Sequence, residues 1–184
     1  MKSVNPKLLY ALLGALALAI FLHLSNPYKK YSTRAFWETA PVAAVAGIPE
    51  KALKSGNPNG SVLMWAAMGA KDPAILKALV DRGADVNESD SVFSGTPMSA
   101  AAGKSTHPEM IAMLVALGAD VNKRVHNGET AAMIAAQYNH TPGVIEALKA
   151  AGADMAAKDD QGQTALDFAA RNGNKVAEQA LLGQ

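Results

Sequence analysis

The chain has 184 residues, of which 49% are hydrophobic, 18% are charged and only 5% are aromatic. This composition is typical of a folded protein and excludes an intrinsically disordered chain. The absence of cysteine excludes disulfides, thiol nucleophiles and thiolate metal sites. The first 34 residues hold five basic and no acidic residues, so the remainder carries 12 basic and 16 acidic ones, a net charge of −4. That acidic balance argues against nucleic-acid binding, which needs clustered lysine and arginine.

An apolar stretch at residues 8–24 (LLYALLGALALAIFLHL) follows a short basic tail at residues 1–7 and predicts a membrane segment. As a helix it would extend roughly 25 Å at ~1.5 Å per residue, a little less than the ~30 Å hydrocarbon core. We interpret the stretch as an uncleaved transmembrane anchor. A removed signal peptide is the alternative, but no pair of small residues follows the apolar run at the spacing that a cleavage site requires.

The orientation of this anchor is nearly balanced, because two lysines precede it and three basic residues follow it by position 34. Only seven residues lie ahead of it, which favours a signal-anchor that carries the C-terminal domain outward. The expected location is therefore the inner (cytoplasmic) membrane, with a single pass and a periplasmic domain. Residues 25–34 are interpreted as a basic linker that touches anionic lipid headgroups.

A Gly-Ala-Asp motif occurs three times, beginning at Gly83, Gly118 and Gly152, with spacings of 35 and 34 residues. In each copy a serine or threonine lies 22 positions before the glycine and opens an alanine-rich stretch, and a proline lies 12 positions after that serine or threonine. The hydroxyl residues are Ser61, Thr96 and Thr130, the prolines are Pro73, Pro108 and Pro142, and a fourth stretch opens at Thr164.

Each part of this repeat has a structural reason. The hydroxyl caps a short first helix, and the alanines let a second helix approach closely. The proline suits the start of the second helix, with Asp72 and Thr141 placed to cap two of these helices. Apolar residues at i, i+1 and i+4 give each second helix one buried stripe. The glycine then ends the helix in a left-handed conformation, and fingers follow at residues 86–95, 121–128 and 155–162.

Helix, turn, helix, Gly-Ala-Asp and finger, repeated at about 33 residues, resembles the ankyrin repeat. The closest match is the stretch 153–173 (ADMAAKDDQGQTALDFAARNG). The resemblance covers about residues 57–184 and implies an all-α ankyrin-repeat solenoid of about four repeats, the last of them a C-terminal cap. Residues 35–56 are interpreted as a degenerate N-terminal capping repeat.

The histidine of the family's Thr-Pro-Leu-His pattern, which normally bonds between neighbouring repeats, is absent. Met64, Ser99, Met133 and Asp167 stand in its place. We therefore expect weaker hydrogen bonding between repeats and a modest stability.

No catalytic, cofactor or metal site is expected. None of the four histidines has a second ligand at metal-binding spacing in its own element. The neighbouring carboxylates Asp159 and Asp160 lie in a finger and are interpreted as turn-forming residues. The chain has no Gly-rich phosphate loop and no Ser/His/Asp constellation, so we expect neither an enzyme nor a small-molecule substrate.

The resemblance implies that another protein binds a concave face made of finger tips and the exposed side of the first helices. Non-repeating residues on the fingers are Val92, Phe93, Arg124, Val125, His126, Asp160 and Gln161, and those on the first helices are Met68, Lys104, Gln137, Tyr138 and Arg171. Apolar and aromatic residues at such exposed positions are enriched in binding hot spots.

Two functions fit this pattern. The first is a membrane-tethered binding module of the bacterial envelope that inhibits, or protects against, one enzyme or toxin in the manner of an immunity protein. The second is a scaffold that holds or supports an envelope or oxidative-stress enzyme at the membrane. Loss of the partner's activity in the complex indicates the first, and unchanged or improved activity indicates the second.

Overall fold

A computed structural model describes residues 29–53, 60–89 and 95–183. Residues Tyr31–Gln184 form one compact unit, to which the elements below belong. The predicted anchor at residues 8–24 lies outside the described residues. Within the described ranges, no helix has the length and apolar character needed to cross a bilayer.

The described part of the unit is built from helices and turns and contains no β-strand. Two short helices come first, α1 (Arg34–Trp37) and α2 (Glu50–Leu53). Four helix pairs follow: α3 (Val62–Gly69) with α4 (Ala74–Asp81), α5 (Pro97–Lys104) with α6 (Glu109–Ala116), α7 (Ala131–Tyr138) with α8 (Val144–Ala150), and α9 (Ala165–Asn172) with α10 (Lys175–Leu182). Short 3-10 helices span Lys29–Tyr31, Val42–Gly47 and His126–Gly128.

Serine and threonine hydroxyls cap three of the four first helices, as the repeat pattern predicts. The expected cap at Thr130 is wrong, because its hydroxyl oxygen is buried and accepts no hydrogen bond from α7. The Ser61 hydroxyl accepts a hydrogen bond from the Met64 amide at 3.3 Å, and Thr96 and Thr164 cap α5 and α9 in the same way. Asp72 accepts from the amide of Ala74 at 2.9 Å and so caps the start of α4. Each such bond satisfies one of the helix's free N-terminal amides.

The expected cap at Thr141 is wrong. Helix α8 begins at Val144, its N-cap is Gly143, and no side chain caps it. Gly143 has a φ of 87°, a conformation that glycine adopts without the strain of a Cβ. This residue separates Thr141 from the helix, so its hydroxyl is too far along the chain to cap it.

The three Gly-Ala-Asp glycines end the second helices as predicted. Gly83, Gly118 and Gly152 have φ values of 96°, 92° and 84°. After α4 the Ala84 amide donates to the Leu79 carbonyl at 3.1 Å, and the other two copies repeat this bond. It is the six-residue bond of a Schellman motif, which satisfies carbonyls at a helix end.

The core lies between the two layers of helices. Successive first helices α3, α5, α7 and α9 pack side by side, and each second helix packs on its own partner. Most alanines of the first helices are buried, because the small side chain lets the helices approach closely. A Cβ placed on Gly103 of α5 would lie 2.9 Å from Cγ2 of Ile134 on α7. The second helices contribute the predicted stripes, which include Leu76, Leu79 and Leu114.

Residues 35–56, the expected degenerate capping repeat, do not form a regular helix pair like those of the later repeats. Their described part forms α1, the 3-10 helix Val42–Gly47 and α2, since Pro41 and Pro49 interrupt any longer helix. Trp37 is only 1% exposed, and its indole nitrogen donates to the Tyr31 carbonyl at 2.8 Å. Helix α1 packs on α3, and the 3-10 helix packs on α4. The segment therefore covers the apolar side of the first helix pair.

The basic linker expected at residues 25–34 ends before Tyr31. Tyr31 is buried, and its hydroxyl donates to the Gly47 carbonyl at 3.2 Å. Thr33 is the N-cap of α1. Residues 31–34 are thus part of the folded unit, while residues 25–28 lie outside the described ranges.

Asparagines form hydrogen bonds between repeats that the sequence analysis missed. The Asn139 amide nitrogen donates to the carbonyls of Ala102 and Ser105 in the preceding repeat, at 2.8 and 2.9 Å. Asn174 repeats this arrangement one repeat later. On the surface, Asn87 and Asn122 each bond to the backbone of the following repeat.

These bonds join neighbouring repeats although the family's histidine is absent. Two residues at the histidine position act within their own repeat instead. Ser99 and Asp167 accept the backbone N–H of Thr96 and Thr164, each at 2.8 Å. The coupling between repeats therefore comes from positions outside the family's tetrapeptide.

Candidate functional site

A groove of about 550 Å³ lies between the first helices α3, α5 and α7 and the finger that precedes α7. That finger turns through the 3-10 helix His126–Gly128, and the Val125 amide donates to the Glu129 carbonyl at 2.9 Å. Asn127 has a φ of 57°, a left-handed conformation that asparagine tolerates better than most residues. The turn places Val125 and His126 against the groove.

The helix wall of the groove consists of residues near the C-terminal ends of three successive first helices. Met68 lies on α3, Lys104 ends α5 and Tyr138 ends α7. Tyr138 is 51% exposed, which is unusual for an aromatic side chain in this chain's well-packed repeats. The Lys104 ammonium lies 5.0 Å from the Tyr138 ring centroid, within cation–π range.

Five of the predicted site residues share this groove. They are Met68, Lys104, Val125, His126 and Tyr138. Gln137 is half-buried next to Tyr138 on α7 but does not line the groove. Val92 and Phe93 lie outside the described residues. Arg124, Asp160, Gln161 and Arg171 are exposed and do not line the groove.

Arg124 and Asp160 are paired with each other across two successive fingers. Nη2 of Arg124 lies 3.0 Å from Oδ1 of Asp160, and Nη1 donates to the Lys158 carbonyl at 2.7 Å. The Asp160 amide also donates to the Asn127 carbonyl at 3.0 Å. The two side chains are 49% and 66% exposed, so the pair adds at most ~1 kcal/mol of stability. Its main effect is to hold one finger against the next.

Arg171 faces the last finger. Its Nη1 donates to Oε1 of Gln163 at 2.8 Å, and its guanidinium lies 4.7 Å from the Phe168 ring centroid. The side chain is thus positioned by its own repeat, and it lies near enough to the groove residue Glu129 to lower the pKa of that carboxyl.

Glu129 is a groove residue that the sequence analysis did not select. It directly follows the finger and is half-buried. Burial, and secondarily the Asp159 carboxylate, raises the pKa of Glu129, while His126 and Arg171 act in the opposite direction. A signal for it exists in the sequence, because the other three repeats have Gly60, Gly95 or Gln163 directly before the capping residue.

Asp159 has the turn-forming role that its sequence context predicts. Its Oδ1 accepts hydrogen bonds from the amides of Gln161 at 2.9 Å and Gln163 at 2.8 Å. The side chain is only 7% exposed, so these bonds are needed to satisfy the buried carboxylate. In the ranges that the structure describes, no three acidic or histidine side chains are grouped to hold a metal ion.

Comparison with known proteins agrees with this arrangement. A family model described as ankyrin repeats in three copies matches residues 63–159 and 98–184. No curated protein matches the chain. The family match spans well over half of the sequence and confirms the repeats identified from the Gly-Ala-Asp spacing. It also implies a protein–protein interaction module. The chain belongs to the ankyrin-repeat family.

Proposed function

We propose that this chain is a membrane-tethered, protein-binding module of the bacterial envelope. The groove side of its repeats docks onto one partner enzyme or toxin and inhibits it or protects against it, as an immunity protein does. The observation that carries this proposal is the half-exposed Tyr138 in a largely apolar groove, whose lining it shares with Met68 and Val125.

Tyr138 has the properties of a binding anchor. Aromatic side chains bury about 150–250 Å² when they are covered, and buried aromatic anchors at interfaces are worth about 2 kcal/mol or more. That energy corresponds to at least a tenfold change in affinity, at ~1.4 kcal/mol per decade. Lys104 restricts the ring through its cation–π contact, so little further ordering is needed when a partner covers it.

The membrane part of the proposal rests on residues 8–24. Seventeen successive residues there contain no charged side chain, and basic residues flank them on both sides. The short N-terminal tail and the absence of cysteine favour a periplasmic domain. In this arrangement the anchor concentrates the repeats at the surface where an envelope partner acts.

Affinity capture from detergent-solubilised native membranes tests the docking surface. Wild-type protein is compared with Tyr138→Ala and with Leu182→Ala, whose side chain is similarly exposed (56%) but lies on α10. We expect one partner, identified by mass, to be depleted at least tenfold by Tyr138→Ala and retained by Leu182→Ala. Equal capture by all three proteins would contradict the docking surface.

The outer parts of the predicted surface are tested by the same assay. Phe93→Ala and Arg171→Ala each weaken capture if the docking face extends along the array beyond the groove. Activity of the purified partner then separates the two functions. Loss of activity in the complex supports inhibition, whereas unchanged or improved activity favours the scaffold.

Fractionation and fusion experiments test the membrane part. Full-length protein is expected with membranes, and a chain that lacks residues 1–30 is expected in the soluble fraction. A mature form that starts between positions 25 and 36 would show that the segment is a cleaved signal peptide. Alkaline phosphatase fused after Gln184 is expected to be active, and an inactive enzyme would place the domain in the cytoplasm.

A further inference from the structure

The chemistry of the groove indicates which feature of a partner it accepts. Its volume of about 550 Å³ is within the ~300–1,000 Å³ of typical ligand sites. Most of its lining is apolar, from the buried Met64 to the half-buried Ile134 and Val125. A large apolar side chain therefore fits the greater part of the groove.

Glu129 is the acidic exception in this lining. Among the described residues, none forms an ion pair or hydrogen bond with its carboxylate. The nearby Asp159 carboxylate adds negative charge, and burial deprives Glu129 of part of its hydration. A half-buried carboxylate in such a setting is stabilised by a cation that binds directly to it.

His126 and Arg171 lower the pKa of Glu129, but among the described residues neither side chain bonds to its carboxylate. Arg171 donates to Gln163, and Lys104 stands over the Tyr138 ring. The Asp159 carboxylate accepts two backbone amides and offers no positive group to Glu129. The acidic end of the groove is therefore complementary to a positive group brought by another molecule.

We propose that the partner inserts a lysine or arginine side chain next to a large apolar one, and that the basic group pairs with the Glu129 carboxylate. This inference rests on the proposed function, because it assigns the groove to a protein partner. The apolar side chain lies against Met68, Val125 and Tyr138. An arginine is the better match, since its planar guanidinium forms two parallel hydrogen bonds with a carboxylate.

The test uses phage-displayed random dodecapeptides as the probe. They are selected on full-length wild-type protein in detergent, after depletion on detergent micelles without protein. We expect enriched peptides to carry lysine or arginine beside a large apolar residue. Enrichment of acidic peptides, of apolar peptides without a basic residue, or of no peptide at all would overturn the inference.

A charge exchange then tests the contact with Glu129. One enriched peptide is made with its basic residue intact, replaced by glutamine, or replaced by glutamate. We expect the Glu129→Gln protein to bind the basic peptide at least tenfold more weakly than wild type does. The Glu129→Lys protein should recover binding only to the glutamate peptide. Glu146→Gln, an exposed carboxylate on α8, is the control and should bind like wild type.

The outcomes separate this inference from the proposed function. If Tyr138→Ala abolishes peptide binding while Glu129→Gln leaves it unchanged, the groove binds peptides but the assigned cation contact is wrong. If neither substitution changes binding, the groove is not the docking surface, and both proposals fail. Circular dichroism of every variant confirms that a loss of binding is not a loss of fold.

Discussion

Asn139 couples two repeats, and its removal should lower the stability of the array. The side chain is 6% exposed and makes three hydrogen bonds. Its amide nitrogen donates to the Ala102 and Ser105 carbonyls at 2.8 and 2.9 Å, and its oxygen accepts from the Thr141 amide at 2.8 Å. Asn139→Ala therefore leaves three backbone groups without these partners in a site that water reaches poorly.

The expected loss follows from the number of bonds. A net contribution of about 0.5–1.5 kcal/mol for each gives a decrease of roughly 2–4 kcal/mol in the free energy of unfolding. Domains of this size have only about 5–15 kcal/mol in total. With a urea dependence of about 2 kcal/mol per molar, a middle value for small proteins, the midpoint should fall by roughly 1–2 M. Far-ultraviolet circular dichroism of the full-length protein in mild detergent, titrated with urea, measures this shift.

Asn122→Ala is the matched control. Asn122 also bonds to the next repeat through both amide atoms, to the Gly152 carbonyl at 3.1 Å and from the Asp154 amide at 2.8 Å. These bonds are exposed, so water replaces them and the loss should stay below about 1 kcal/mol. Equal midpoints for Asn139→Ala and Asn122→Ala would refute the argument that burial makes the Asn139 bonds important. A changed urea dependence would show that the substitution has altered cooperativity instead.

Three further substitutions test the core and the two shifted carboxylates. Leu79→Ala removes a fully buried side chain from α4 and should lower the free energy of unfolding by roughly 2–5 kcal/mol in the same urea titration. Glu129 has a raised pKa in the folded state, so the folded state is favoured when its carboxyl is protonated. Relative to Glu129→Gln, the unfolding midpoint of the wild type should therefore decline as the pH rises through the raised pKa. A midpoint difference that does not vary with pH would contradict this. Asp167 has a lowered pKa because the backbone and then the hydroxyl of Thr164 bond to its carboxylate. Its stabilisation is present above the ordinary pKa of 3.8 and is lost as the pH falls further, so Asp167→Ala and wild type should converge in strong acid.

The repeats were predictable from sequence because their signals are local. Each signal acts within one helix or its adjoining turn: a capping hydroxyl, a buried apolar stripe or a terminal glycine. Because the signals recur in three copies at the same spacing, they are not a chance match to the repeat pattern. Local signals also explain the failure at Thr141. Gly143 provides an additional residue with positive φ, and nothing about Thr141 itself reveals that its helix starts later.

The candidate site was less predictable because it depends on contacts between repeats. Arg124 and Asp160 are 36 positions apart, so their pairing follows from the register of two fingers rather than from either motif. The same is true of Asn139, whose sequence context indicates an ordinary turn residue. Its role depends on the carbonyls of Ala102 and Ser105, which only the packing of the repeats brings next to it. Glu129, by contrast, could have been selected from the sequence, because the other repeats have glycine or glutamine at its position.

The groove takes its helix wall from three successive repeats, through Met68, Lys104 and Tyr138. The width of the groove therefore depends on the angles between these neighbouring repeats. A partner bound there contacts all three repeats and therefore holds the two interfaces between them in one geometry. At a hundred times its dissociation constant, such a ligand adds about 2.7 kcal/mol to the stability of the folded state. When the partner is bound, the segment from α3 to α7 should resist proteolysis better than it does in the free protein. Helix α10 lies outside the bound repeats and can still unfold locally from its C-terminal end.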